Sequence, residues 1–156
     1  MSNSPRDSSD RVLKIAESYK EEADKCVKVK AYHASSIFLA SAIEGLILAM
    51  YYCNDSRARK TTTYRCWRKQ GKSIWDWDFF KLISLAKELE WIQGRVRIGQ
   101  STVALSEAVD RMRKLRNTIH AGNYYRTRRG ELVSAKDFQY TTTIFQAIVE
   151  ALEAAL

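Results

Sequence analysis

Proline is nearly missing from this chain of 156 residues, and glycine and cysteine are scarce, at one Pro, six Gly and three Cys. So little Pro and Gly excludes collagenous and low-complexity chains, and 46% hydrophobic residues exclude intrinsic disorder. Cys26, Cys53 and Cys66 are odd in number, widely spaced and without a CxxC pair. Neither a secreted disulfide scaffold nor a metal site is expected from them, and they read as packing residues. There is no P-loop and no GxGxxG, since Gly94 and Gly99 stand alone, so no cofactor is expected. The polar, Ser-rich stretch from Met1 to Asp10 has no apolar run and does not read as a signal peptide. Residues 1–9 are expected to form a disordered tail ahead of a single domain over 10–156, in a reducing cytoplasm.

What the chain does have is helical periodicity, with no convincing alternating strand. Its longest apolar run, Ala34 to Tyr52, is nearly long enough to span a bilayer. Glu44 sits at the centre of that run, where a carboxylate costs about 2.5–3.5 kcal/mol on insertion scales. The run therefore reads as the central buried helix of a bundle, with no membrane. Before it, a first helix capped by Ser9 or Asp10 carries Val12, Ala16, Tyr19, Ala23 and Cys26 or Val27 on one face and ends near Lys30. After it, a third helix spans roughly Asp78 to Trp91, and a fourth runs from Ser101 to Gly122. A fifth opens on a capping box made by Ser134 and Asp137. Asp55 to Trp75 is expected to be a long polar loop. Trp75, Trp77 and Trp91 fit either a core or a subunit interface. The fold class expected is all-α, an up-and-down bundle of four to five helices.

Positive charge exceeds negative, with twenty-six Lys and Arg against eighteen Asp and Glu, for a net charge of +8. It is also segregated. Arg57, Arg59, Lys60, Arg65, Arg68, Lys69 and Lys72 follow one another with no acid between them, and so do Arg111, Arg113, Lys114, Arg116, Arg126, Arg128 and Arg129. Those fourteen leave twelve basic against eighteen acidic residues elsewhere, so the rest of the chain is net acidic. Such segregation is the footprint of a phosphate-backbone binder, and Tyr64, Trp67, Tyr124 and Tyr125 lie among the basic residues, where bases can stack. RNA contact is expected through Arg57, Arg59, Lys60, Arg65, Arg68, Lys69, Lys72, Arg126, Arg128 and Arg129. Patches of this type also bind acidic proteins or simply keep a surface solvated. No helix-turn-helix, zinc-finger or basic-zipper spacing supports sequence-specific reading of a duplex.

On a wheel at about 100° per residue, the fourth helix sets Leu105, Ala108, Val109, Met112, Leu115 and Ile119 on one side. Arg113, Asn117 and His120 share the edge of that face, while Arg116 falls inside the apolar arc, where a guanidinium needs an anion. Glu44, flanked on its own face by Ile37, Ala40, Ile47, Leu48 and Tyr51, needs a cation. A Glu44–Arg116 pair between the two helices answers both needs. His120 reads as a proton carrier or as a C-terminal cap favoured by the helix dipole, and His33 as a partly exposed packing residue.

The string Leu115-Arg116-Asn117-Thr118-Ile119-His120-Ala121-Gly122, preceded by a helix reading Ala42-Ile43-Glu44-Gly45-Leu46-Ile47-Leu48, resembles the HEPN superfamily over roughly Asp10 to Leu156. The resemblance implies a helical bundle that dimerises through the motif helices, so that two Arg/His pairs form one composite cleft. Many members are metal-independent endoribonucleases of toxin–antitoxin, phage-defence or RNA-processing systems, and others are non-catalytic binding modules. On this reading His120 moves protons, Arg113 or Arg116 stabilises charge on the phosphate, and Asn117 holds a phosphate oxygen or orients the histidine. Catalytic members usually place four to six residues between Arg and His. Arg116 leaves three, and Arg113 leaves six but is followed by Lys114. Either Arg113 supplies the cation and Arg116 is structural, an assignment the wheel favours, or catalysis has been lost. The residues thus leave open an endoribonuclease acting on single-stranded or looped RNA and a dimeric module that binds RNA or a protein partner.

Overall fold

Apolar residues at three- and four-residue steps make α1 (Pro5–Lys28) amphipathic, and Val12, Ala16 and Ala23 are buried along one side of it. The computed structural model describes residues 5–71, 73–119 and 133–156, and the chain is mostly helical over them. The first helix begins at Pro5 rather than at Ser9 or Asp10, so the stretch 1–9 is not wholly a tail. Ser9 is buried, and its hydroxyl donates to Ala49 O at 3.3 Å. Pro suits the first helical position because its missing N–H would have no partner there.

α1 ends in a Schellman turn. Ala31 N–H donates to Cys26 O and Lys30 N–H to Val27 O, both at 2.8 Å, with Lys30 in the left-handed region at φ 58°. The turn reverses the chain into α2 (Tyr32–Cys53), which packs against α1 closely enough that a Cβ added to Gly45 would lie 3.0 Å from Ala16 Cβ. By length and composition α2 could cross a bilayer, and half of its most apolar window is buried inside the protein.

The connection expected as a loop is largely helical. It holds α3 (Asp55–Ala58), α4 (Thr62–Arg68) and a 3₁₀ turn at Ile74–Asp76. Two caps start α4. The Thr61 hydroxyl accepts from Tyr64 N–H at 3.1 Å, and the carboxylate of Glu88, far along the chain, accepts from Thr62 N–H and Thr63 N–H. α5 (Phe79–Glu88) is capped by Asp78, whose side chain accepts from Lys81 N–H. It ends in a second Schellman turn, with Glu90 at φ 63° and Trp91 N–H donating to Ala86 O at 2.9 Å.

The reading without strands is corrected by a hairpin. β1 (Arg95–Ile98) pairs antiparallel with β2 (Ser101–Ala104), Arg95 opposite Ala104 and Ile98 opposite Ser101. The two-residue connection Gly99-Gln100 places Gly99 at φ 62°, the geometry that joins tightly paired strands. Ser101 therefore lies in a strand rather than at a helix cap, and α6 begins four residues later (Leu105–Arg116), followed by a 3₁₀ turn at Asn117–Ile119. The expected helix end at Gly122 lies outside the described residues. α7 (Ala135–Ala154) opens on the Ser134/Asp137 capping box, both reciprocal bonds being formed.

The core lies where α2 meets α5, α6 and α7. Ile43, Ile47, Leu82, Leu85, Val109, Met112 and Ile148 fill it, with Trp91 and Trp77 also buried. Those two tryptophans are core residues, while the Trp75 side chain lies outside the described part.

Candidate functional site

The wheel places four of the six residues expected on the buried side of α6, since Leu105, Ala108, Val109 and Met112 are buried, while Leu115 is half-buried and the Ile119 side chain lies outside the described part. It also brings Arg116 to α2. Arg116 Nη2 lies 3.0 Å from Glu44 Oε2, with the two side chains 37% and 20% exposed. Burial is the larger influence on Glu44 and holds its carboxyl above the usual carboxylate range, against the opposing pull of the Arg116 guanidinium, while Asp78 adds to the rise.

Arg113 departs from the expectation that it stands available at the edge. Its side chain is only 21% exposed, Nε donates to Asp110 Oδ1 at 2.7 Å, and the guanidinium lies over the Phe80 ring at 5.6 Å. Lys114 reaches the other Asp110 oxygen at 2.8 Å. Asp110 is desolvated, but its bonds to Lys114 and Arg113 outweigh that and hold it below its ordinary value. Asn117 is the exposed C-cap of α6, its N–H bonded back to Arg113 O and Leu115 O. His120, the proposed proton carrier, lies outside the described residues.

His33 is the residue that sequence reasoning missed. Its Nε2 lies 2.8 Å from Thr118 Oγ1, inside the motif string. The Thr118 hydroxyl also donates to Leu115 O, so Thr118 ties His33 of α2 to the last turn of α6. A signal was present in the sequence. His33 stands eleven residues before Glu44, about three turns, and so shares its face of α2.

The basic stretch over 57–72 divides between structural and outward-facing duties. Arg57 Nη2 donates to Leu89 O at 3.3 Å and so closes the end of α5. Arg59 Nε bonds both Asp55 oxygens at 2.7 and 2.8 Å, and Arg65 Nε donates to Thr61 O at 3.3 Å. Arg57, Arg59, Lys60, Arg65, Arg68 and Lys69 are all exposed. Arg65, Arg68 and Lys69, with Thr62 and Tyr64, line an open cavity of about 450 Å³ along α4. The aromatic residues of this stretch are half-buried. Tyr64 stacks on Tyr51 with ring centroids 6.1 Å apart, and Trp67 lies beneath Lys81 Nζ at 4.4 Å. Lys72, Arg126, Arg128 and Arg129, with Tyr124 and Tyr125, lie outside the described residues.

Comparisons of the chain with protein-family models, with curated proteins and with solved structures return no match.

Proposed function

We propose that this chain is a HEPN-like, metal-independent endoribonuclease acting on single-stranded or looped RNA. It works as a homodimer through the motif helices, in a defence, toxin–antitoxin or RNA-processing setting of the cytoplasm. The observation that carries the reading is the Glu44–Arg116 bridge, because it joins the two stretches of sequence on which the resemblance to the superfamily rests.

The chemistry follows from the residue types. His120 takes the proton of the 2′-hydroxyl, the 2′-oxygen attacks the adjacent phosphorus, and the bond from phosphorus to the 5′-oxygen breaks as that oxygen takes the proton His120 hands back. The products are a 2′,3′-cyclic phosphate and a 5′-hydroxyl. A fixed arginine stabilises the charge that builds on the phosphorane. Arg116 is better suited than Arg113, because its partner Glu44 is held above the usual carboxylate range and is the easier one to neutralise, whereas Asp110 is held below it. Asn117 adds a donor at the same helix end.

The test is an assay with EDTA present, offering end-labelled single strands and total tRNA to wild type and to His120→Ala. Cleavage that leaves cyclic ends, is lost in the variant and comes with an unchanged thermal midpoint is the expected result. Wild-type protein that is folded yet cuts no RNA overturns the reading. One observation favours a second reading, a non-catalytic dimeric module that binds RNA or a protein partner: Arg113 and Arg116 each already hold a carboxylate.

A further inference from the structure

At the far end of α2 from His33 lies a polar pocket of about 270 Å³, lined by Tyr51, Tyr52, Asp55, Arg59, Tyr64 and Arg68 among others. We propose that this pocket is a nucleotide subsite, taking one nucleotide unit of an RNA strand with its base against the tyrosines and its phosphate on Arg59 and Arg68.

The walls are built before any ligand arrives. Tyr51 is buried in the wall that Asp55 and Tyr64 also line. Asp55 is fixed by Arg59 Nε. Tyr51 and Tyr64 are stacked at 13° between ring planes, and Tyr52 meets Tyr51 edge-on at 5.2 Å. Tyr51 is buried, so the half-buried Tyr52 and Tyr64 are the rings left for a base to meet.

Charge selects the rest of the ligand. Two guanidiniums line the pocket against one carboxylate. Arg59 uses only Nε on Asp55, so its terminal amino groups remain as donors in the geometry that matches a phosphate. Arg65 and Lys69 extend the positive surface along α4. Asp55 works against a bare anion and favours a ligand that also brings N–H donors, as an amino-bearing base does. The volume, just below the roughly 300–1,000 Å³ usual for small-ligand sites, fits one nucleotide unit rather than something larger.

Position ties the pocket to the motif. Tyr51 is seven residues beyond Glu44, so it lies on the same face of α2 about 10 Å further along. The RNA source of the nucleotide rests on the endoribonuclease reading, while the nucleotide chemistry rests on the pocket alone.

The experiment titrates purified protein by calorimetry with AMP, adenosine and inorganic phosphate in turn. It uses wild type, Arg59→Gln, Arg68→Gln and, as an equal loss of charge elsewhere, Arg97→Gln. AMP is expected to bind saturably, with adenosine and phosphate each weaker by about tenfold or more, and each pocket variant is expected to weaken AMP by about tenfold, Arg68→Gln at an unchanged thermal midpoint. Arg97→Gln is expected to leave AMP binding unchanged. A short oligoadenylate is expected to displace AMP. Absence of saturable AMP binding, phosphate binding as tight as AMP, or equal weakening by Arg97→Gln overturns the subsite. Failure of the oligoadenylate to displace AMP overturns the assignment to RNA. AMP binding by a chain that cuts no RNA overturns the nuclease and leaves the pocket standing, and RNA cleavage without AMP binding does the reverse.

Discussion

Glu44 and Arg116 each occupy an apolar face, and each makes the other tolerable. Neither is fully enclosed, so the loss on breaking the pair lies between the values for exposed and buried ion pairs. Glu44→Gln and Arg116→Gln are each expected to lower stability by about 1–2 kcal/mol, and the double variant by no more than either alone. Denaturant midpoints of the three proteins check this, and additive losses would mean that the side chains do not act on each other. Lys30 is a different case, since a side chain in the left-handed region is strained where glycine is not. After allowing for glycine's extra freedom in the unfolded chain, Lys30→Gly is expected to stabilise by about 0.5–1 kcal/mol, raising the thermal midpoint by about 1–4 °C. The ion pair was legible in the sequence because a charge inside an apolar stripe demands a partner and the chain offered one obvious candidate. The His33–Thr118 bond was legible only in part, because the phase of α2 puts His33 on the face of Glu44 but does not name the residue that meets it there.

Among the elements, legibility followed the distance over which each is specified. α7 is announced by a capping box whose members are three residues apart, and its start was read correctly. α4 depends on Glu88, a carboxylate twenty-five and twenty-six residues from the amides it caps, so nothing local distinguished the segment from a loop. The hairpin was hidden by its four-residue strands, too short for a period of two to stand out, and by a serine that suits a helix cap equally well. The Glu88 cap has a pH consequence. Although desolvation acts to raise it, the Thr63 and Thr62 donors hold the Glu88 carboxyl below its ordinary value, so the docking of α4 is fully present above the unfolded-state value and weakens as pH falls through the depressed one. Hydrogen exchange at the Thr62 and Thr63 amides is expected to quicken over that acid range while amides in the middle of α2 stay protected, and Glu88→Gln is expected to reproduce the effect at neutral pH. Protection at Thr62 and Thr63 that is unchanged by either would place the hold on α4 elsewhere.

At the scale of the whole molecule, the separation of charge seen in the sequence has a partial counterpart in space. Six basic residues between Arg57 and Lys69 are exposed, and three of them, Arg65, Arg68 and Lys69, line the open cavity along α4. Replacing those three with Gln is expected to reduce the slope of log affinity against log salt for single-stranded RNA by about two, since each phosphate contact contributes about 0.7. An unchanged slope would move the RNA path off α4.

α2 links the regions of this surface through its phase. His33, Glu44 and Tyr51 fall along it at steps of eleven and seven residues, together five whole turns at about 3.6 residues each. Removing one residue from the middle of α2 would leave both halves helical yet rotate one against the other by about 100°. The histidine brace and the tyrosine pocket would then face different ways. Substitutions along this helix are thus a matter of local packing, whereas a single-residue insertion or deletion between His33 and Tyr51 uncouples the two ends of the molecule.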